Sequence, residues 1–183
     1  KVPSLFFMVT AFRNDLNYYI IPRNNGRINF QTLLPIFETV GVNATVQGVE
    51  SQMELTLNKN YSVSWSLSYT EGTMNETNSP LPSIPPLKSL FEVKYSSGDF
   101  SFGLGSEMTA NQNKVDQFEE PTAGYIIFNT FSQYLFTTGN LLHSVSFTID
   151  NMLNNEYRNH LSRVKSILPE AERNFRFTYR VYF

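Results

Sequence analysis

Residues 61–70 place Tyr61, Val63, Trp65, Leu67 and Tyr69 on one face and Ser62, Ser64, Ser66, Ser68 and Thr70 on the other. Side chains of a strand alternate with a period of two, so this run predicts a strand with one apolar and one polar face. The closing residues repeat the pattern, with Phe175, Phe177, Tyr179, Val181 and Phe183 set against Arg176, Thr178, Arg180 and Tyr182. Residues 48–57, 100–108 and 141–150 alternate in the same way. Val49, Met53, Leu55, Phe102, Leu104, Val145 and Phe147 lie on their apolar faces. Three further segments, Leu5 to Ile21, Leu87 to Tyr95 and Tyr125 to Phe136, alternate less cleanly, which makes eight predicted strands.

The connections alternate in length. Asn58-Lys59-Asn60, Ser96-Ser97-Gly98-Asp99 and Thr137-Thr138-Gly139-Asn140 carry the Asn, Asp and Gly that tight hairpins require. Between them, polar connections are expected near 22–33, 73–86, 111–123 and 160–174. One end of the sheet then has tight turns and the other has large loops. An up-and-down antiparallel meander of this kind fits a membrane barrel, whose apolar face meets lipid. A soluble barrel or sandwich, whose apolar face points to a packed core, has the same alternation. The aromatics near strand ends (Tyr61, Tyr69, Tyr95, Tyr125, Phe175 and the final Phe183) favour the membrane form, where such residues make interfacial girdles.

Composition narrows the choice. Of 183 residues, 41% are hydrophobic and 15% aromatic, far from a disordered composition. The net charge of −2, with Lys and Arg scattered, supplies no basic footprint for nucleic acid. With no Cys, thiolate catalysis and disulfide frameworks are excluded. No apolar run reaches the ~18 residues of a membrane helix. The chain starts without Met or a basic-then-apolar leader, which suggests a processed product or a fragment.

Several motifs, in order, carry a family resemblance. They are Ala11-Phe12-Arg13-Asn14-Asp15-Leu16-Asn17-Tyr18-Tyr19-Ile20, Asn43-Ala44-Thr45-Val46-Gln47-Gly48-Val49-Glu50, Leu81-Pro82-Ser83-Ile84-Pro85-Pro86-Leu87 and Glu119-Glu120-Pro121-Thr122-Ala123-Gly124-Tyr125. After these come Asp150-Asn151-Met152-Leu153-Asn154-Asn155-Glu156-Tyr157-Arg158-Asn159-His160-Leu161-Ser162 and the terminal Arg173-Asn174-Phe175 with Arg180-Val181-Tyr182-Phe183. Over essentially its whole length the chain resembles the C-terminal portion of a TonB-dependent outer-membrane receptor. Where the family has Pro-Gly-Arg before the last strand, this chain has Pro169-Glu170-Ala171-Glu172-Arg173.

The resemblance implies an all-β, antiparallel up-and-down transmembrane barrel, residues 1–183 being about the last eight of about 22 strands, without the plug domain. It implies uptake of a scarce ligand such as an iron-siderophore or other metal complex, and a bacterial outer-membrane location. Its implied partners are outer-membrane lipid, TonB through the missing N-terminal part, and the barrel-assembly machinery. Tyr179, Val181 and Phe183 resemble the terminal signal that this machinery reads. No enzyme activity and no cofactor are implied.

Two other readings remain: a self-contained eight-stranded structural or adhesion barrel, and a soluble lipocalin-like binding barrel. Candidate ligand contacts are Asp116, Glu119 and Glu120 in one loop and Arg158, His160, Arg163 and Lys165 in another. Loop charges are usually solvated, so most are expected to be plain surface. His143 and His160 lack the converging partners that a metal needs, and His160 is expected to be structural or solvated. Glu119 and Glu120, adjacent and without a nucleophile, make no acid-base pair.

Overall fold

The computed structural model describes residues 3–183. The chain forms one antiparallel sheet from β1 (Ser4–Ile28), β2 (Pro35–Thr56), β3 (Tyr61–Met74), the two-residue β4 (Ser79–Pro80), β5 (Lys88–Ser97), β6 (Phe100–Thr109), β7 (Tyr125–Thr138), β8 (Leu141–Asp150) and β9 (Asn174–Tyr182). Every long strand pairs with the next long strand, and β4 caps the upper edge of β3. The eight expected strands are all present. Gly98 and Gly139 sit at φ of 55° and 59° in the tight β5–β6 and β7–β8 turns, a backbone that glycine adopts without a Cβ clash.

β1 and β9 are the two edges and do not pair, so the sheet is open. A self-contained eight-stranded closed barrel is therefore not what these residues form. One face is hollow and is lined by Gln52, Glu54, Ser64, Ser66, Glu92, Gly105, Glu107, Asn129 and Thr148, which hold the polar parity of their strands. The opposite face carries Phe7, Val93, Phe102, Leu104, Met108, Tyr134, Phe147 and Phe177, all substantially exposed. In a lipocalin the apolar face lines the hollow; here it lies outside, which overturns the soluble binding-barrel reading.

That outward band has two borders. Near the short turns, Tyr61 lies directly opposite Tyr95, their ring centroids 5.0 Å apart. Toward the long loops the cross-strand row Ala11–Val49–Tyr69 is apolar, and the next outward row is Arg13–Gln47–Glu71. Tyr61 to Tyr69 rises about 26 Å along the strand at about 3.3 Å per residue, close to the ~25 Å apolar height of a membrane barrel.

Beyond that row the faces exchange character. Ile21, Ala44, Met74 and Leu81 form a buried apolar cluster on the hollow side, with Val40, Val42, Val46 and Ile84 packed against it. The outward side there is polar: Thr45 Oγ1 donates to Asp15 at 2.7 Å, and Arg13 pairs with Asp15 at 3.2 Å. In a membrane barrel this is the level at which strands leave lipid for water, where burying apolar side chains inward becomes favourable.

Several sequence expectations are corrected here. Residues 22–33 are not a loop: β1 continues to Ile28, β2 begins at Pro35, and the turn is confined to 29–34. The last loop starts at Asn151 rather than 160, and β3 runs to Met74. Tyr125 is not on the outward girdle. It faces the hollow side, where its hydroxyl donates to Glu107 at 2.8 Å and its ring meets Tyr157 at 4.5 Å.

The less clean alternation of β1 has a physical cause. Between the pairs Leu16–Ala44 and Tyr19–Val42, Asn17 and Tyr18 oppose the single residue Asn43, a β-bulge with Tyr18 at φ 57°. The extra residue shifts the parity of everything after it. Ile21 thereby reaches the buried cluster.

Candidate functional site

The long-loop end is where side chains converge. The 75–87 connection folds onto the hollow side of β3, with Leu81 and Ile84 filling the space above Gly72; a Cβ there would lie 2.8 Å from Leu81 and 2.7 Å from Ile84. Leu81 N–H donates to the Gly72 carbonyl at 3.0 Å. The 110–124 connection closes on itself through the Gln112–Thr122 bridge, and Gln112 Nε2 donates to the Ile84 carbonyl at 2.9 Å. It also reaches the β1–β2 hairpin. Asp116, 7% exposed, accepts from Arg23 Nε at 3.4 Å, and Phe118 lies over Gly26.

The 151–173 connection begins with a hydrogen-bonded asparagine turn. Asn151, at φ 52°, receives Asn155 N–H on its side-chain oxygen at 3.0 Å and donates back to the Asn155 carbonyl at 2.8 Å. Asn154, at φ 58°, accepts from Arg173 N–H at 2.8 Å, tying the end of the loop to its start. Asn tolerates left-handed backbone and bonds its own neighbours, so this part of the Asp150–Ser162 motif builds the turn itself.

Three of these loops meet in one polar knot. Glu119 accepts Ser83 N–H at 3.0 and 3.2 Å, lies 3.5 Å from Lys165 Nζ, and stands 3.2 Å from His160 Nε2. His160 is 3% exposed, and its Nδ1 is 3.0 Å from Thr122 Oγ1 and 3.2 Å from Lys165 Nζ. Burial alone raises the Glu119 carboxyl, but the His160 bond, the Ser83 N–H and the Lys165 charge outweigh it and hold the group below the usual carboxylate range. His160 is buried in this knot rather than solvated.

The seven candidate loop residues thus divide. Asp116, Glu119, His160 and Lys165 are engaged in holding loops together, and Arg158 donates to the Lys165 carbonyl. Glu120 and Arg163 are exposed, and among the described residues neither has an ion-pair partner. Among the described residues no cluster of three metal-ligating side chains forms. Arg23, whose guanidinium also donates to Met74 Sδ at 3.0 Å, is not among the sequence candidates; nothing in its local sequence marks Asp116, 93 residues away, as its partner.

At the other end, Tyr179, Val181 and Phe183 share the outward face of β9 and its tail, with Tyr179 opposite Val145 and Val181 opposite His143. His143 lies between Phe136 and Tyr179, at ring distances of 4.7 and 5.9 Å, and its Nδ1 meets the Tyr179 hydroxyl at 2.7 Å. Phe183 is fully exposed.

Comparison with known proteins agrees with this architecture. The copper transporter OprC is similar in structure over 96% of this chain, with a TM-score of 0.83 and 23% sequence identity. This chain spans only 29% of OprC, so the likeness is to one section of a larger barrel. No curated protein matches in sequence. The family described as TonB dependent receptor-like, beta-barrel, matches residues 2–152, most of the chain, and with the outward apolar band and the alternating loops this establishes that the chain belongs to the TonB-dependent receptor β-barrel family.

Proposed function

We propose that residues 1–183 are the C-terminal wall and loop segment of an outer-membrane receptor that imports a scarce small ligand with energy delivered through TonB. The observation that carries this reading is the pairing of an outward apolar band, bordered by Tyr61 and Tyr95 at one end and Tyr69 at the other, with a polar hollow face overhung by interlocked loops. Lipid covers the band, and the hollow face forms part of the lumen wall. In this reading the plug and the TonB-contacting segment belong to other parts of the protein, and the last strand exits at the periplasm. The three-loop knot then lies outside the cell, at the mouth.

The cargo is a metal ion or metal complex, iron-siderophore included; the fold shared with a copper transporter supports that class. Tyr179, Val181 and Phe183 act as the assembly signal for the barrel-insertion machinery, and no catalysis is assigned to any residue. Uptake of radiolabelled iron-siderophores and of copper by metal-starved cells tests the reading. Deleting the gene should lower accumulation of one of these cargoes, and deleting TonB should lower it equally. Uptake unchanged across the panel in both strains would overturn it.

A further inference from the structure

β3 and β5 part company at the top of the apolar band. Their ladder ends with Ser68 opposite Lys88, and the same register would next set Thr70 against Pro86. Proline has no N–H to give, and Pro85 removes a second donor, so the pairing stops there. The chain bonds the β3 edge again at Leu81, whose N–H donates to the Gly72 carbonyl at 3.0 Å. Gly72 and Met74 both turn their carbonyls to that edge, toward Leu81 and Asn78 N–H, so the ladder's alternation turns Thr70 N–H and C=O the same way. Among the described residues neither group of Thr70 has a backbone partner there.

A groove of about 660 Å³ occupies the gap, a size within the range of small-ligand sites. Upper β3 forms one wall, Ile84 to Leu87 a second and Ala110 to Lys114 a third. Lys114 Nζ reaches from the third wall to Glu71 Oε1 at 2.6 Å, on the outward side. Tyr69, at the border of the apolar band, also lines the groove, and Leu87, Met108 and Ile126 are exposed beside it. β3 and β5 are interior strands, so a neighbouring strand of a larger barrel does not fill this gap.

We propose that the groove seats the headgroup of an outer-leaflet glycolipid built on an N-acylated amino sugar. The inference rests on the reading that lipid covers the band. An amide carries one N–H and one C=O, the pair that Thr70 leaves free. The free edge is a single residue long, too short for a peptide strand of about five residues, but sufficient for one sugar-linked amide. The acyl chain then runs past Tyr69 and Leu87 onto the apolar band. Sugar oxygens meet the exposed Asn113 and the Lys114 ammonium, which keeps donors beyond the one given to Glu71.

Native mass spectrometry of the whole receptor, extracted from its membrane and stripped of lipid in detergent, tests this with two probes. One is lipid A, a phosphorylated N-acylated glucosamine lipid; the other is phosphatidylethanolamine, which has acyl chains but no sugar and no amide. Wild type should bind lipid A about tenfold more tightly than phosphatidylethanolamine. Asn113→Trp, which fills the groove from an exposed loop position, and Thr70→Pro, which removes the free N–H, should each abolish that margin and leave phosphatidylethanolamine binding unchanged. Asn113→Trp decides the matter if Thr70→Pro fails to fold. Equal binding of the two lipids by the wild type, or a margin kept in Asn113→Trp, would overturn the proposal. Failure of both lipids to bind would strike the lipid-covered band itself, and the groove with it. Free N-acetylglucosamine bound as tightly as lipid A would give the groove to a soluble sugar and so exclude the lipid.

Discussion

At the scale of single residues, the sheet is shaped by a few close fits that the alternation pattern does not announce. Phe131 lies on the hollow side directly opposite Gly103, and a Cβ at Gly103 would come within 2.1 Å of its ring. Gly103→Val should displace that ring and cost about 1–3 kcal/mol, read from the urea midpoint of the protein refolded into lipid. Trp65 faces outward with its indole N–H donating to Ser89 Oγ at 2.9 Å. A serine on an apolar face looks like an error in the sequence, yet here it satisfies a donor that lipid would leave unpaired. Ser89→Ala should therefore destabilise by about 1–3 kcal/mol in the same assay, and Ser89→Ala with Trp65→Phe should recover most of the loss. Tyr18 carries the bulge at a positive φ that costs a non-glycine residue about 1–2 kcal/mol. Deleting it should leave Ile21 opposite Val40, so an Ile21→Cys, Val40→Cys pair should still crosslink on oxidation, and failure to crosslink would show that the bulge sets the register.

At the scale of elements, the long β1–β2 hairpin and the inward loops behave as one small domain mounted on the wall. Its core is the Ile21, Ala44, Met74 and Leu81 cluster, and Leu81 is fully buried. Leu81→Ala should cost about 2–5 kcal/mol and free the 75–87 loop, seen as faster exchange there while β5 and β6 remain protected. Glu119 adds an acid-side dependence. Its carboxyl lies below the ordinary 4.5 in the folded protein, so its stabilising contribution is complete above about 4.5 and is lost as the pH falls through the folded value. Glu119→Gln should lower protection of Ser83 and its neighbours at neutral pH and abolish the further loss below about pH 4.5.

At the scale of the whole molecule, an open sheet with an exposed apolar face and two unpaired edges needs both lipid and neighbouring strands. Residues 1–183 expressed alone in water should aggregate, since the edges of β1 and β9 offer unpaired backbone to other chains. A soluble monomer with a cooperative melt would contradict that. In the protein reconstituted into brominated lipid, Trp65→Phe should remove part of the quenched tryptophan emission, because the Trp65 ring lies on the lipid side. Equal quenching with and without Trp65 would place that face elsewhere.

Strand number, order of short and long connections, and the apolar face were all readable where the chain spans the apolar band, because lipid on one side and water on the other impose a strict period of two. In residues 61–70 that period runs without exception. Outside the band the apolar side changes face, with Val40, Val42, Ala44 and Val46 on the parity opposite to Val49, and in β1 a bulge at Tyr18 shifts the phase, so no single continuous alternation runs through residues 22–28 and 35–47, which extend β1 and β2. The candidate loop charges were identifiable as residue types, but whether each is a free surface charge or a structural tie was not. Glu119 and His160 lie 3.2 Å apart across two loops, and Asp116 meets Arg23 from a different hairpin. Alternation is a local consequence of the solvent on each face; which distant charges become partners depends on how the loops fold back over the sheet, and only the tertiary structure decides that.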